Sequence, residues 1–194
     1  FMQYNKKEDG SFEPLRQKNV DTGMGLERTV CVINGLGSVY ETDVFEGAIR
    51  CIESLSGKKY GIDDETTRAI RIVADHVRTA TFMLGDQIGV TPSNVDQGYV
   101  LRRLIRRAIR FMRSLGIGKG EMVKLAAHYV DFYAEVYPEL AENRQKIMDE
   151  LTKEEEKFSR ALEQGTKEFE RAAAKAQNGV IDGQTAFRLY DTFG

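Results

Sequence analysis

The chain has 194 residues, of which 41% are hydrophobic and 30% are charged, and its formal net charge is −2. This composition is typical of a globular protein, and the length suits one ordinary domain or two small ones. No apolar run approaches the roughly 20 residues that a membrane-spanning helix needs, and no signal-peptide pattern opens the chain. Two isolated cysteines, Cys31 and Cys51, argue against a disulfide framework or a zinc knuckle. We therefore expect a cytoplasmic protein that binds no metal itself and has no membrane partner.

The beginning of the chain favours β-structure. Alternating residues, a turn at residues 8–10 and a returning segment predict a hairpin over residues 1–18. Within it, Pro14 favours an edge or a bulge because proline lacks the N–H that a strand ladder uses. A short helix is expected over residues 26–34.

The rest of the chain has helical periodicity. Caps, apolar spacing and breakers predict six further helices, over residues 42–57, 63–84, 98–115, 122–137, 138–176 and 182–190. The predicted fold class is therefore mainly α with a small β portion, and we expect a domain boundary near residue 57.

One predicted helix carries six arginines and no acid between Gly98 and Gly120. The arginines are Arg102, Arg103, Arg106, Arg107, Arg110 and Arg113. At about 100° per residue they fall within about 140° of the helix circumference, and apolar residues occupy the remainder. Such a face fits a track of phosphates. The alternatives are a face neutralised by acids elsewhere in the chain and, more weakly, a membrane surface, because the apolar side lacks bulky aromatic residues.

The segment Val20–Arg28, VDTGMGLER, has side chains suited to a charged ligand. Gly23 and Gly25 leave the backbone open to a flat ligand. Asp21 offers a carboxylate to an ammonium group, and Arg28 offers a bidentate donor to a phosphate. A glycine kink before a helix is the alternative, and two glycines alone would favour it.

This nine-residue string resembles motif 3 of class II aminoacyl-tRNA synthetases, in the form carried by the alanyl-tRNA synthetase family. Three more strings are similar to that family in the expected order: RIVADHVR at 71–78, TPSNVDQGYVLRRLIRRA at 91–108 and DGQTAFRLYDTFG at 182–194. The resemblance covers essentially the whole chain. It implies the end of a class II antiparallel sheet, with the motif 3 strand and helix, in residues 1–57. A helical tRNA-recognition bundle is implied for residues 58–194.

The resemblance also implies an activity, the ATP- and Mg²⁺-dependent joining of alanine to tRNA. By family position, Asp21 and Gly23 would bind alanine, and Gly25 and Arg28 would bind ATP. No residue of this chain is expected to act as a catalytic acid or base. Motifs 1 and 2 would precede the chain, and a zinc-containing editing domain would follow it. We therefore expect these 194 residues alone to be inactive.

The same resemblance assigns a tRNA site. Asn94 and Asp191 match the family's reading pair for a G–U wobble in the tRNA(Ala) acceptor stem, and we expect them to converge beside the arginine face. From the residues alone, they would be a turn residue and an acid at a helix end. Arginines of the basic helix would grip the same RNA: Arg102, Arg103, Arg106, Arg107 and Arg110. A non-catalytic helical RNA-binding or scaffold protein remains the alternative.

Other polar and aromatic positions are predicted to be structural. The acidic run Glu154–Glu156 is expected to be a solvated helix face, and His76 a packed, hydrogen-bonded histidine. An aromatic stripe is expected to belong to the core: Tyr129, Phe132, Tyr133 and Tyr137.

Overall fold

The computed structural model describes residues 2–176 and 179–193, which form one two-stranded sheet and eight α-helices. The mainly α fold class with a small β portion is confirmed. The contacts divide the chain into two compact units, residues 1–45 and 46–194. The predicted boundary near residue 57 concerns where a catalytic domain meets a tRNA-recognition domain, and it stays a prediction.

The first unit opens with the predicted hairpin. Strands β1 (Met2–Lys6) and β2 (Phe12–Asn19) pair in antiparallel register, with Tyr4 opposite Pro14. The register shifts between this pair and the pair of Met2 with Asn19, beside a proline that cannot donate to the ladder. Helix α1 (Leu26–Ile33) follows, and a single 3-10 turn covers Val39–Glu41.

The second unit is a helical bundle. Its helices are α2 (Asp43–Ser56, which begins at the division), α3 (Asp64–Gly85), α4 (Asp96–Ser114), α5 (Met122–Tyr133), α6 (Pro138–Glu142), α7 (Arg144–Lys175) and α8 (Gly183–Phe193). Helix α3 lies at the centre, because α4, α5, α6 and α7 all pack against it. Helix α8 packs against α7.

Predicted caps begin two of these helices. The Asp63 carboxylate accepts hydrogen bonds from the backbone N–H of Thr66 at 2.6 Å and from its hydroxyl at 2.8 Å. These bonds stabilise the ionised carboxylate and lower the pKa of Asp63. Asp182 accepts from the N–H of Thr185 at 2.9 Å in the same way. Gly116 follows α4 with a φ of +84°, a conformation that favours glycine at a helix end.

The predicted long helix over residues 138–176 is wrong in one respect, because Asn143 divides it into α6 and α7. Asn143 leaves helical geometry, with φ −91° and ψ 11°, and its side-chain amide donates to the carbonyl oxygen of Gly85 at 3.0 Å. A Cβ at Gly85 would come within 2.5 Å of Leu140. The end of α3 therefore sits against this break, and a tertiary contact determines where the helix stops.

Part of the aromatic stripe is core, as predicted. Tyr129 is completely buried, and its hydroxyl donates to the carbonyl oxygen of Ala74 at 2.9 Å, joining α5 to α3. Burial disfavours the phenolate and raises the pKa of Tyr129. Phe132 and Tyr137 are 42% and 41% exposed, so the prediction is wrong for these two side chains.

We predict that Tyr129→Phe lowers the free energy of unfolding by about 1 kcal/mol, because the buried hydrogen bond is lost while the ring packing remains. Urea denaturation followed by circular dichroism measures this change. Tyr137→Phe removes the same hydroxyl from a half-exposed ring, and we expect a change within about 0.5 kcal/mol. Equal effects of the two substitutions would contradict the role of the Tyr129 hydroxyl.

Candidate functional site

The basic helix α4 has one apolar side, and that side is buried. The five fully covered side chains are Leu101, Ile105, Ala108, Ile109 and Met112. They lie on the helix that packs most extensively against α3. The arginines occupy the remaining circumference, as the helical wheel predicted.

Arg106 connects α4 to α7. Its Nε donates to Oε1 of Glu154 at 2.7 Å, and its guanidinium carbon lies 5.2 Å from the ring centre of Phe158. The Glu154 side chain is only 4% exposed, whereas Arg106 is 28% exposed. A buried carboxylate is costly unless it is paired, so the arginine stabilises the position of α7.

A second contact between α4 and α7 lies about two turns further along α4. Arg113 donates to the hydroxyl of buried Ser159 at 2.8 Å. Nearby, Glu155 is 5% exposed and accepts from the backbone N–H of Gly120 at 3.1 Å. Burial raises the pKa of Glu155.

The prediction that residues 154–156 form a solvated face is therefore wrong for Glu154 and Glu155. Only Glu156 of the three is exposed. The partners of the basic helix, the acid Glu154 and the hydroxyl of Ser159, come from another helix, 46 to 48 residues away in sequence. The spacing of residues within α4 therefore could not predict these partners.

Arg102 contacts the loop that precedes α4. It donates to Oδ1 of Asn94 and lies 5.3 Å from the ring centre of Tyr99. A guanidinium group has only donors, so Asn94 must present its carbonyl oxygen to Arg102. The amide NH₂ of Asn94, which is an exposed residue, is then oriented away from that contact.

Gly98 holds this loop against the first turn of α4. A Cβ at Gly98 would come within 2.4 Å of Oγ of Ser93 and 2.5 Å of the Thr91 carbonyl oxygen. The backbone N–H of Ser93 donates to the Gly98 carbonyl oxygen at 3.0 Å. The loop carrying Asn94 is thus fixed by a close approach that only glycine permits. The TPSN turn followed by a glycine in a helix was a signal for this role, which the predictions from sequence did not include.

Three arginines of α4 make neither a side-chain hydrogen bond nor an ion pair within the described part of the chain: Arg103, Arg107 and Arg110. All three residues are exposed. Their guanidinium carbons lie 5.3–6.0 Å from aromatic ring centres, Arg103 at Tyr99 and the other two at Phe111. These arginines are the cations of α4 that remain available to a ligand.

Asp191 lies on α8 and is exposed. Helix α8 approaches α7 closely at Gly165, where a Cβ would come within 2.9 Å of Cβ of Phe193. Asp191 and Asn94 both belong to the second compact unit. Their convergence on one surface stays a prediction.

The glycine-rich segment belongs to the first unit and is open. Asp21, Gly23, Gly25 and Arg28 are all exposed. A Cβ at Gly23 would meet no atom within 4 Å, whereas one at Gly25 would meet the Arg28 side chain at 3.4 Å. Arg28 thus lies alongside the glycine that precedes α1, and the segment offers an unobstructed carboxylate, an open backbone and a guanidinium group. The assigned alanine and ATP roles stay predictions.

The other features considered as functional sites are His76, possible metal-binding clusters and membrane-spanning helices. Nδ1 of His76 lies 2.9 Å from Oδ2 of Asp75, and the histidine side chain is 13% exposed, as expected for a packed histidine. Within residues 2–176 and 179–193, no cluster of three or more His, Cys, Asp or Glu side chains has a geometry that could hold a metal ion. Across the same residues, no helix is long and apolar enough to span a membrane.

The sequence is similar over its whole length to known proteins. The family described as tRNA synthetases class II (A) matches residues 1–194. Proteins named alanine–tRNA ligase from Treponema pallidum, Borreliella afzelii and Halalkalibacterium halodurans are 50%, 48% and 43% identical to the chain over its whole length. The chain spans 33% of the first two relatives and 22% of the third. The match to the family over every residue shows that this chain belongs to the class II (A) tRNA synthetases.

Proposed function

We propose that this chain is part of an alanine–tRNA ligase, with the alanine and ATP contacts in its first unit and the tRNA(Ala) acceptor-stem contacts in its second. The observation that carries the proposal is helix α4. It presents exposed arginines without acidic partners, and a loop asparagine is fixed at its start. This arrangement occurs in a chain similar throughout to proteins named alanine–tRNA ligase.

The proposed reaction has two steps. The alanine carboxylate attacks the α-phosphorus of ATP, giving alanyl-adenylate and pyrophosphate, and a hydroxyl at the tRNA 3′ end then attacks the alanyl carbonyl and releases AMP. Asp21 would pair with the ammonium group of alanine, and Arg28 would stabilise negative charge on the phosphates. Attack at phosphorus needs charge stabilisation and positioning more than covalent help, which fits a site without a catalytic acid or base.

The open geometry of the glycine-rich segment fits ATP, because backbone and guanidinium group are both accessible. Magnesium carried on the ATP phosphates would neutralise part of their charge, and such ions use few protein ligands. Arg28 would contact the phosphates directly, and Gly23 and Gly25 would let the ligand lie against the backbone.

For the tRNA, we propose that Asn94 and Asp191 read a G–U wobble pair. The wobble leaves the guanine 2-amino group without its usual partner, and a carboxylate such as that of Asp191 accepts from it. The contact of Arg102 with Oδ1 of Asn94 leaves the amide NH₂ to donate to a base acceptor. RNA minor grooves are wide and shallow, so these short side chains can reach base edges there.

A second candidate function is a non-catalytic RNA-binding or scaffold protein. The exposure of Asp21, Gly23, Gly25 and Arg28 favours it, because adenylate formation requires a site that excludes water. The activity of a longer protein containing this chain distinguishes the two functions.

We predict that the 194-residue chain alone shows no alanine-dependent exchange of pyrophosphate into ATP, because its ligand segment is open to solvent. The full-length protein that contains the chain should catalyse the exchange. Exchange is measured with labelled pyrophosphate, with and without alanine. Activity of the chain alone would contradict its proposed dependence on further catalytic sequence, and inactivity of the full-length protein would favour the non-catalytic function.

A second prediction concerns Asp191. Asp191→Ala should reduce the preference for a G–U over a G–C acceptor stem by roughly tenfold, because one charge-assisted hydrogen bond to a base is lost. Aminoacylation kinetics of the full-length protein with two tRNAs differing only in that pair measure the preference. Glu170→Ala, which removes an exposed acid from α7, is the matched control. Equal loss on both tRNAs would argue against a reading role for Asp191.

A further inference from the structure

The six arginines of α4 fall into two rows that differ in their partners. The first row contacts other parts of the protein: Arg102 contacts Asn94, Arg106 contacts Glu154 and Arg113 contacts Ser159. The second row is Arg103, Arg107 and Arg110, whose described contacts are with aromatic rings of the same helix. On the helical wheel the first row covers about 40° and the second a separate arc of about 60°.

We infer that the second row, named here the phosphate stripe (Arg103, Arg107 and Arg110), binds the RNA backbone, and that the first row positions α4 and its loop. This inference rests on the proposed function, because it takes RNA as the ligand. It narrows the predicted RNA contacts, which treated Arg102 and Arg106 as equivalent to the other three.

The spacing of the phosphate stripe fits a run of phosphates. Residues 103 to 110 extend about 10 Å along a helix that rises 1.5 Å per residue. An RNA stem is an A-form helix that carries one phosphate per nucleotide on each strand. Three cations spread over this length can therefore meet two or three phosphates of one strand.

The aromatic contacts of the stripe leave its hydrogen-bond donors available. A guanidinium group that lies against a ring uses its flat face, whereas its N–H donors point outward in its own plane. Tyr99 and Phe111 lie near the three guanidinium groups, and within the described residues these groups make no side-chain hydrogen bond or ion pair. Their donors are therefore left for phosphate oxygens.

The partners of the first row point to a structural role. Glu154 is buried, so losing Arg106 would leave a buried carboxylate without its cation. Arg102 holds the amide of Asn94, which would turn freely without it. These contacts hold each guanidinium group against the protein, and only the donors that they leave unused could reach a phosphate.

The burial of the apolar side of α4 favours RNA over a membrane surface as the ligand. Leu101, Ile105 and Ile109 are covered in the bundle and are not available for insertion into lipid. Binding to a lipid surface would then depend on three cations alone, whereas an RNA strand matches both their charge and their spacing.

The test measures the binding of the full 194-residue chain to an RNA hairpin with the sequence of a tRNA(Ala) acceptor stem, by fluorescence anisotropy over a series of KCl concentrations. The triple variant Arg103→Gln, Arg107→Gln, Arg110→Gln should reduce the slope of log affinity against log salt by about 2 to 3, because each phosphate contact contributes about 1. The matched control removes three exposed cations elsewhere in the same unit: Arg50→Gln, Arg68→Gln and Lys124→Gln. It should change the slope by less than about 1.

The first row is tested by exchanging both members of its buried pair. The double variant Arg106→Met, Glu154→Leu replaces the ion pair by apolar side chains and should keep the bundle folded, with an unchanged salt slope. Arg106→Gln alone should lower the melting temperature. A loss of slope in the double variant equal to that in the triple variant would overturn the division into two rows.

The outcomes separate this inference from the proposed function. If the unaltered chain binds the hairpin and the triple variant keeps the full slope, the phosphate stripe is wrong and RNA binding stands. If the unaltered chain does not bind the hairpin, RNA recognition by this unit is itself wrong. A third outcome is that the chain binds vesicles containing one-third phosphatidylserine but does not bind the hairpin, and that the triple variant no longer binds the vesicles. That outcome would assign the stripe to a lipid surface and overturn the inference.

Discussion

The contact between Arg106 and Glu154 determines how the basic helix can be used. A carboxylate that is almost fully covered is costly without a partner, and Arg106 supplies one at 2.7 Å. Together with the apolar side of α4 packed on α3, this pair fixes the rotation of α4 about its axis. That rotation decides which arginines face the protein and which face solvent. The RNA surface we propose is a consequence of it.

The same residue type therefore has two uses on one helix. An arginine that contacts a buried acceptor is paired within the protein. An arginine that lies near only an aromatic ring keeps its N–H donors available to a ligand. The loop before α4 follows the same logic. Gly98 permits the close approach of the loop, and Arg102 orients the amide of Asn94 that the loop presents. Positioning groups and candidate binding groups alternate over a short stretch of chain.

The two compact units divide the chemistry proposed for the chain. The first contains a short segment in which an exposed carboxylate, two glycines and an arginine are accessible to small charged ligands. The second is a packed bundle whose central helix, α3, supports a basic surface. A small ligand needs several groups gathered around it, whereas an RNA stem needs an extended charged face. In the proposed function, much of the described chain would hold that face in place.

The sequence alone was sufficient for the hairpin, for most helices, for the amphipathic character of α4 and for the family, because these depend on local periodicity, capping residues and short motifs. It was not sufficient for the break at Asn143 or for the burial of Glu154 and Glu155. Each of those depends on a partner distant in the chain, Gly85 for the asparagine and α4 with its following turn for the acids. Residue spacing describes the faces of one helix, and it contains no information on which other helix covers them. Only the packed structure determined which arginines are neutralised and which remain for a ligand.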